Sequence, residues 1–141
     1  MMKTFIVFCV MSISIFANDF EKSLNIVIDK TANIMWQDNL ESTQYLEDIT
    51  MAKTYCENLI LNGYIDWKMA TIKQLQTIMD ITNKDITIKK EFQYTSASKY
   101  WSKSPYFLNT NQFWYVDFKT GIVNFSTRDN KYTVRCVRDL K

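Results

Sequence analysis

The chain has 141 residues, of which 15% are aromatic and 23% charged, with 17 Lys and Arg against 15 Asp and Glu. This length suits one domain, and a near-neutral charge without a basic stripe argues against a nucleic-acid binder. The chain contains no histidine. That absence excludes the Ser-His and Cys-His catalytic arrangements and most zinc sites.

The first 17 residues have the layout of a secretory signal peptide. A lysine precedes an apolar run over residues 5–15, and Ala17 supplies a small residue before polar Asn18. An N-terminal membrane anchor is the alternative, but the run is shorter than the roughly 20 residues of a membrane span. We therefore predict cleavage after Ala17, a single domain over residues 18–141 without a membrane span, and a periplasmic or extracellular location.

Two cysteines, Cys56 and Cys136, remain after this cleavage. An even number of cysteines in an exported chain favours a disulfide. Such a bond would close a loop of about 80 residues and stabilise the fold by on the order of 4 kcal/mol in the chain-entropy model. Two free thiols are the alternative, and two thiolates alone would make an incomplete metal site.

The N-terminal part of residues 18–141 predicts a β-hairpin followed by a loop. Apolar and polar residues alternate over Ser23–Asp29, which predicts a strand. Asn33 suits the left-handed conformation of a turn, and Ile34–Trp36 is the returning strand. The polar segment Gln37–Glu47 is predicted to be a loop.

A first helix is predicted to begin at a cap formed by Asp48 or Thr50 and to end near Leu61. Its apolar residues recur at i, i+3, i+4, i+7 and i+8, which is the spacing of one helix face. Cys56 lies on that face and is therefore expected to point inward. Asn62-Gly63 follows as a turn that ends the helix.

A second helix is predicted over Ile72–Met79. Thr71 and Gln74 have the spacing of a capping box, in which each side chain satisfies a backbone N–H near the other residue. Trp67 lies between the preceding turn and this cap, and we expect it to anchor the core where the two helices meet.

The segment Asp80–Ser98 is irregular and rich in Thr, Asn, Lys and Ser, so we predict a long loop pinned by Phe92. Long loops in compact domains often carry binding sites. Of these two interpretations, we favour a loop without function that its aromatic residues hold in place.

The last forty residues are predicted to form β-structure. The expected strands are Tyr100–Lys103, Phe113–Phe118, Ile122–Ser126 and Tyr132–Arg138, with turns at Ser104-Pro105, Lys119–Gly121 and Thr127–Lys131. In the final strand, a period of two residues places Cys136 on the inward face. Two inward cysteines would suit a link between helix and sheet.

Six blocks of the chain together point to a known family. They are Ile34–Asn39, Ala52–Leu59, Asp66–Leu75, Tyr100–Ser104, Trp114–Gly121 and Val134–Arg138. In order and spacing they resemble the Lcl C-terminal domain, an exported bacterial domain named after a collagen-like adhesin. The resemblance implies an α+β fold similar to C-type lectins and formylglycine-generating enzymes, with two helices packed on a twisted, mainly antiparallel sheet. It also implies a Cys56–Cys136 disulfide, and the adhesin is associated with sulfated glycans and surfaces.

The chain departs from the family pattern, which usually reads DWRLP with a Glu before the following Leu. Here Lys68, Met69 and Ala70 stand in the first motif, and Gln74 replaces the Glu. The ion pair that Arg and Glu would form is therefore lost, although Gln74 can still complete the capping box. The collagen-like repeats of the adhesin are also absent, so trimerisation through them is not implied.

Enzymatic and metal-dependent chemistry is disfavoured by the residues present. The formylglycine-generating reaction needs a reactive cysteine pair, which a disulfide would use. Asp66, Asp117 and Asp129 could support glycoside hydrolysis, but nothing in the sequence brings two of them together. The EPN- and WND-like motifs of calcium-dependent lectins are missing. We expect no catalytic residues, no metal and no cofactor.

Aromatic and arginine side chains supply the candidates for the core and for binding. The core is predicted to contain Trp36, Trp67, Leu75, Trp101, Trp114 and Phe118. The binding candidates are Tyr106, Phe107, Tyr115, Arg128 and Arg135. Rings can stack on sugar faces and arginines can attract anions. For the arginines, pairing with Asp129 and Asp139 is the favoured alternative.

The leading functional hypothesis is an exported, non-catalytic module of the bacterial envelope that binds a glycan or a protein. The binding face is expected to combine Asp80–Ser98 with Tyr106–Gln112. A hydrolase that uses carboxylates and a structural envelope component are the alternatives. The sequence does not indicate an oligomeric state.

Overall fold

The computed structural model describes residues 19–141, which form three helices and ten strands in two five-stranded sheets. This arrangement confirms the α+β class. The predicted signal peptide lies outside the described residues. Among residues 19–141, no helix is both long and apolar enough to cross a membrane.

The first sheet, sheet A, is antiparallel throughout and has the strand order β1-β2-β3-β10-β5. Its strands are β1 (Phe20–Ser23), β2 (Ile26–Asp29), β3 (Ile34–Gln37), β5 (Lys68–Met69) and β10 (Cys136–Asp139). The last strand of the chain, β10, is therefore an inner strand of this sheet and lies between β3 and β5.

The prediction of one strand over Ser23–Asp29 is wrong, because the chain reverses direction within that segment. Asn25 has a φ of +63° and forms the turn between β1 and β2. Leu24 fits the apolar alternation but lies in this turn, where it is exposed. The left-handed Asn33 between β2 and β3, with a φ of +55°, is confirmed.

The second sheet, sheet B, has the order β4-β9-β6-β7-β8 and is antiparallel except where β6 meets β9. Its strands are β4 (Leu46–Glu47), β6 (Lys99–Tyr106), β7 (Asn109–Asp117), β8 (Ile122–Thr127) and β9 (Tyr132–Thr133). The long β6–β7–β8 meander dominates this sheet.

The predicted turn at Ser104-Pro105 is wrong. Strand β6 continues to Tyr106, and the register shifts at Pro105, which is where a proline without an N–H is tolerated in a sheet. The chain instead reverses at Phe107-Leu108. Most of the segment Tyr106–Gln112, predicted to form part of the binding face, therefore belongs to two paired strands.

The predicted final strand Tyr132–Arg138 is divided between the two sheets. Strand β9 pairs with sheet B, strand β10 pairs with sheet A, and Val134-Arg135 crosses between them. Both crossing residues are fully buried. Val134 packs in the second core cluster, and Arg135 packs against Phe92 in the segment Asp80–Ser98, so neither face of the crossing meets solvent.

The two predicted helices are present, and a short additional one precedes them. Helix α1 (Glu41–Gln44) lies in the segment predicted to be a loop. Helix α2 (Ile49–Asn58) is capped by Asp48, whose carboxylate accepts hydrogen bonds from two backbone N–H groups. It ends sooner than predicted, because Leu59 is already extended.

Helix α3 (Ile72–Thr77) begins with the predicted capping box. The Gln74 backbone N–H donates to the Thr71 hydroxyl at 3.1 Å, and the Thr71 N–H donates to the Gln74 side chain at 2.8 Å. This local pattern forms regardless of the substitutions in the preceding motif, because it needs only the two residues themselves.

Two clusters of buried residues form the core. Trp36, Leu75 and Phe118 lie in the first, which packs α3 against the sheets. Trp67 and Trp101 lie in the second, together with the Cys56–Cys136 disulfide that joins α2 to β10. The disulfide is therefore confirmed. Trp114, also predicted for the core, is partly exposed and belongs to neither cluster.

Candidate functional site

A pocket of about 390 Å³ opens between α2 and the two sheets. Its floor is apolar and its rim is cationic; we call it the basic pocket. Its lining residues are Ile49, Thr50, Lys53, Met69, Lys103, Phe113 and Arg128. No Asp or Glu is among them, whereas Lys53, Lys103 and Arg128 contribute three positive charges.

Arg128 is held at the rim by hydrogen bonds to two neighbouring elements. Its backbone N–H donates to the Asn111 carbonyl at 3.0 Å, and its carbonyl accepts from the Ile49 N–H at 3.2 Å. Its guanidinium donates to the Thr50 hydroxyl at 3.0 Å. Within the described part of the chain no carboxylate lies within 4 Å of it. The predicted pairing with Asp129 is therefore wrong, and guanidinium donors are left for a ligand.

Lys53 and Lys103 complete the cationic rim from different parts of the fold. Lys53 projects from α2 and makes one exposed contact with Glu57 at 3.8 Å, a kind of pair that contributes little. Lys103 lies on β6, where its backbone N–H donates to the Ala70 carbonyl at 2.8 Å. Sequence reasoning missed both lysines, because only the fold brings residues 53, 103 and 128 together.

Arg135, predicted as a binding residue, is fully buried, and this prediction is wrong. Its guanidinium donates to the Gln37 carbonyl at 2.6 Å and to the Asp38 carboxylate at 3.3 Å, and it also donates to the Tyr94 carbonyl. Its Nε finds no acceptor among residues 19–141, and the guanidinium carbon lies 4.9 Å from the centre of the Phe92 ring. We call this buried group the Arg135 junction.

The Arg135 junction fixes the segment Asp80–Ser98 to the body of the molecule. The Asp38 carboxylate accepts hydrogen bonds from the backbone N–H groups of Gln93 and Tyr94, at 2.9 and 3.0 Å. With Phe92 buried beside them, this part of the segment is a packed structural element.

The binding face expected from Asp80–Ser98 and Tyr106–Gln112 does not form. Thr87 donates its backbone N–H to the Phe118 carbonyl at 2.8 Å, so the first segment lies just beyond the C-terminal end of β7. The second segment contains the N-terminal end of β7. Nine residues of strand separate these ends by about 26 Å.

The remaining aromatic candidates divide into buried and exposed groups. Tyr115 is buried, with its ring 6.4 Å from that of Trp101, so its prediction as a surface residue is wrong. Tyr106 and Phe107 lie at the end of the β6–β7 hairpin, next to Trp114. Phe107 is 79% exposed. Tyr106 and Phe107 therefore remain candidate binding residues.

Asp66 lies beside Arg138, away from the other two acidic candidates. The Arg138 guanidinium donates to both Asp66 oxygens, at 2.7 and 3.2 Å, and lies 3.9 Å from the centre of the Tyr64 ring. The hydrogen bond with Arg138 lowers the pKa of Asp66 to about 2. Asp139 pairs with Lys68 at 2.5 Å, so the predicted partners of the arginines are wrong here too.

Asp117 and Asp129 stand at opposite ends of the β7–β8 hairpin. Asp117 pairs in register with Ile122 at one end, whereas Thr127, two residues before Asp129, pairs with Gln112 at the other end. The structure thus brings none of the three acidic candidates together. Among residues 19–141, no group of three or more His, Cys, Asp or Glu side chains could hold a metal ion.

The fold and the pocket together define a disulfide-linked α+β protein with an open, cationic surface site. Residues 25–138, about four fifths of the chain, match the family described as the Lcl C-terminal domain. The chain belongs to this family, and the resemblance of the six sequence blocks is confirmed. No curated protein matches the chain.

Proposed function

We propose that this protein is an exported, non-catalytic binding module of the bacterial envelope whose basic pocket recognises an anionic glycan. The observation that carries the proposal is the rim of the pocket. Lys53, Lys103 and Arg128 come from three separate segments of the chain and converge on one opening with no carboxylate in its lining.

The chemistry of the pocket matches a sugar that carries sulfate or carboxylate groups. Arginine donates two parallel hydrogen bonds to such anions, and lysine adds a compact positive charge. The apolar floor includes Met69 and Phe113, which can pack against the carbon-bound hydrogens of a pyranose ring. A protein partner would be expected to use a larger and flatter surface than this pocket.

Export is supported by the disulfide and by the layout of the first 17 residues. A structural disulfide persists in oxidising compartments and is rare in the cytosol. Mass spectrometry of the protein recovered from a cell-envelope fraction would test this directly. A chain beginning at Asn18 is expected, and an intact N-terminus in the cytosolic fraction would contradict it.

The binding proposal is tested with heparin and an uncharged dextran at two salt concentrations. Heparin should bind and dextran should not, and raising the salt should weaken the binding because surface charges are screened. The test variant neutralises the rim with Lys53→Gln, Lys103→Gln and Arg128→Gln. The matched control removes three exposed charges elsewhere with Lys73→Gln, Lys84→Gln and Lys90→Gln.

The rim variant should lose about tenfold or more in heparin affinity, as expected for three exposed charge contacts. The control variant has the same net charge and should keep nearly all of its affinity. An equal loss in both variants would show attraction to net charge alone and would refute a site at the pocket.

A further inference from the structure

The end of the β6–β7 hairpin presents two adjacent apolar side chains to solvent. Tyr106 and Asn109 form the last pair of the ladder, so Phe107 and Leu108 form the turn. They are 79% and 72% exposed. We call these two residues the hairpin tip, and no packing within residues 19–141 accounts for their apolar character.

The other turns of this chain use different residues. Asn25, Asn33, Asn62 and the two glycines have positive φ values and occupy turns, as expected from their local conformational preferences. Phe107 and Leu108 have no such preference and no positive φ. Their apolar character is therefore not explained by turn formation.

A cluster of rings supports the hairpin tip from behind. The Tyr106 ring stacks on Phe125 with 3.9 Å between centres and 9° between planes. Trp114 contacts both rings edge-on, at 5.4 and 5.5 Å, and Phe107 lies 5.2 Å from Tyr106. None of these four rings belongs to either core cluster. We call these four rings the aromatic collar.

Positive charge lies beside the aromatic collar, and negative charge is confined to the far end of the hairpin. Strands β6 and β7 contain no Asp or Glu before Asp117, at the far end. Lys103 precedes Tyr106 by three residues. The backbone N–H of Arg128 donates a hydrogen bond to the Asn111 carbonyl. Asn111 lies three residues from the tip.

We propose that the hairpin tip is a membrane-contact site for a bilayer that contains anionic lipids. From the tip inward, the apolar side chains of Phe107 and Leu108 come first, the ring of Tyr106 follows, and the cations Lys103 and Arg128 come next. A bilayer presents the complementary order, with hydrocarbon, then an interface where Tyr and Trp accumulate, then anionic headgroups. Phe107 and Leu108 enter the acyl region, while Lys103 and Arg128 face lipid phosphates.

The contact is peripheral and shares Lys103 and Arg128 with the basic pocket. Two inserted side chains give reversible binding, which the cations strengthen on anionic lipids. Because Lys103 and Arg128 also line the basic pocket, their substitution cannot separate the two functions. Substitution of Phe107 and Leu108 can, since neither residue lines the pocket.

The test is flotation of the full chain with vesicles of phosphatidylcholine alone or mixed with phosphatidylglycerol. Mass spectrometry first establishes that all variants have the same N-terminus. The test variant is Phe107→Ser with Leu108→Ser, and the control is Leu24→Ser with Ile81→Ser. The control residues are 78% and 77% exposed and lie on other turns and loops, so both variants lose similar exposed apolar surface.

The wild type and the control should float with the mixed vesicles and much less with phosphatidylcholine. The tip variant should lose about tenfold or more in partitioning, since it no longer buries a Phe and a Leu in hydrocarbon. Its heparin affinity should be unchanged. Equal flotation of the tip variant, or no flotation of the wild type, would overturn the proposal.

Tryptophan fluorescence gives a second measurement at the same site. Trp36, Trp67 and Trp101 are buried, whereas Trp114 is partly exposed in the aromatic collar. Brominated lipids should therefore quench emission in the wild type and not in Trp114→Phe. Quenching that persists in Trp114→Phe would place another surface on the membrane.

Light scattering tests whether the tip is instead a contact between two copies of the chain. A tip variant that changes only from dimer to monomer would assign the tip to self-association.

Discussion

The Arg135 junction and the hairpin end, which consists of the hairpin tip and the aromatic collar, both contain closely packed aromatic side chains. They differ in whether another part of the chain covers these side chains. In the junction, Arg135 lies against the rings of Phe92 and Tyr100 and is fully buried, because the segment Asp80–Ser98 folds over it. At the hairpin end, Tyr106 and Trp114 also pack closely. There, however, no second layer of the described chain covers them.

The comparison shows that a second structural layer, and not residue type, separates core from surface in this protein. A buried guanidinium must satisfy its hydrogen bonds internally, and Arg135 does so for two of its three nitrogens with three acceptors. Arg128 needs no such partners, because water solvates it. Substitution of a buried residue should therefore lower the free energy of unfolding much more than substitution of an exposed residue of the same type.

The largest loss of stability is expected from removal of the disulfide, which links α2 to β10. Cys56→Ala with Cys136→Ala should lower the free energy of unfolding by about 4.5 kcal/mol, because the bond closes a loop between residues 80 apart. Urea unfolding measures this loss. A reducing agent should destabilise the wild type similarly and leave the double variant unchanged. Indifference of the wild type to reduction would show that the bond does not stabilise the fold.

Trp101 and Trp114 provide the next test of the comparison. Trp101 is fully buried in the second core cluster, so Trp101→Ala should cost about 4 kcal/mol through lost burial and a cavity. Trp114→Ala loses only edge contacts in the aromatic collar and should cost about 1 kcal/mol. Thermal and urea unfolding of both variants measure the difference. Equal losses would mean that the hairpin end is as tightly packed as the core.

Arg135 and Arg128 test the same contrast with charge. Arg135→Met should lower the unfolding free energy by about 3 kcal/mol, because it leaves Asp38 buried without its cation. Arg128→Met should change it by less than about 0.5 kcal/mol, as expected at an exposed site. Adding Asp38→Asn to Arg135→Met should recover part of the loss, because the amide removes the buried charge and keeps an oxygen that accepts from the Gln93 and Tyr94 N–H groups. If the double variant is no more stable than Arg135→Met, the ion pair is not the source of the effect.

The smallest effect is expected at the pair formed by exposed Asp66 and buried Arg138, and it depends on pH. Since folding lowers the pKa of Asp66 from 3.8 to about 2, its contribution to stability is present above pH 3.8 and lost as the pH falls through about 2. Arg138→Gln should therefore raise the pKa of Asp66 toward 3.8, as measured by NMR titration.

Asp80 is the internal control for this titration. Its pKa is lowered by the hydrogen bond from Thr82, so Arg138→Gln should leave it unchanged. The stability difference between wild type and variant should also shrink between pH 5 and pH 2. An Asp66 pKa that stays near 2 in the variant would assign the shift to another group.

The sequence by itself determined the features that depend on neighbouring residues. The capping box of Thr71 and Gln74 needs only two residues three positions apart, and Asn33 takes its left-handed conformation for local reasons. The α+β class and the family also followed from the sequence, because six blocks had the right residues in the right order. With only two cysteines between residues 18 and 141, the disulfide partners followed as well.

Only the tertiary structure decided which side of each strand meets solvent. Alternation along Tyr132–Arg138 places Cys136 on one face and Arg135 on the other, and in a single sheet the second face would be exposed. Here the segment Asp80–Ser98 covers that second face, so Arg135 is buried against Phe92 and the Tyr94 carbonyl. The basic pocket was beyond sequence reasoning for a related reason. Its three cations come from positions 53, 103 and 128, and only long-range packing brings such distant positions together.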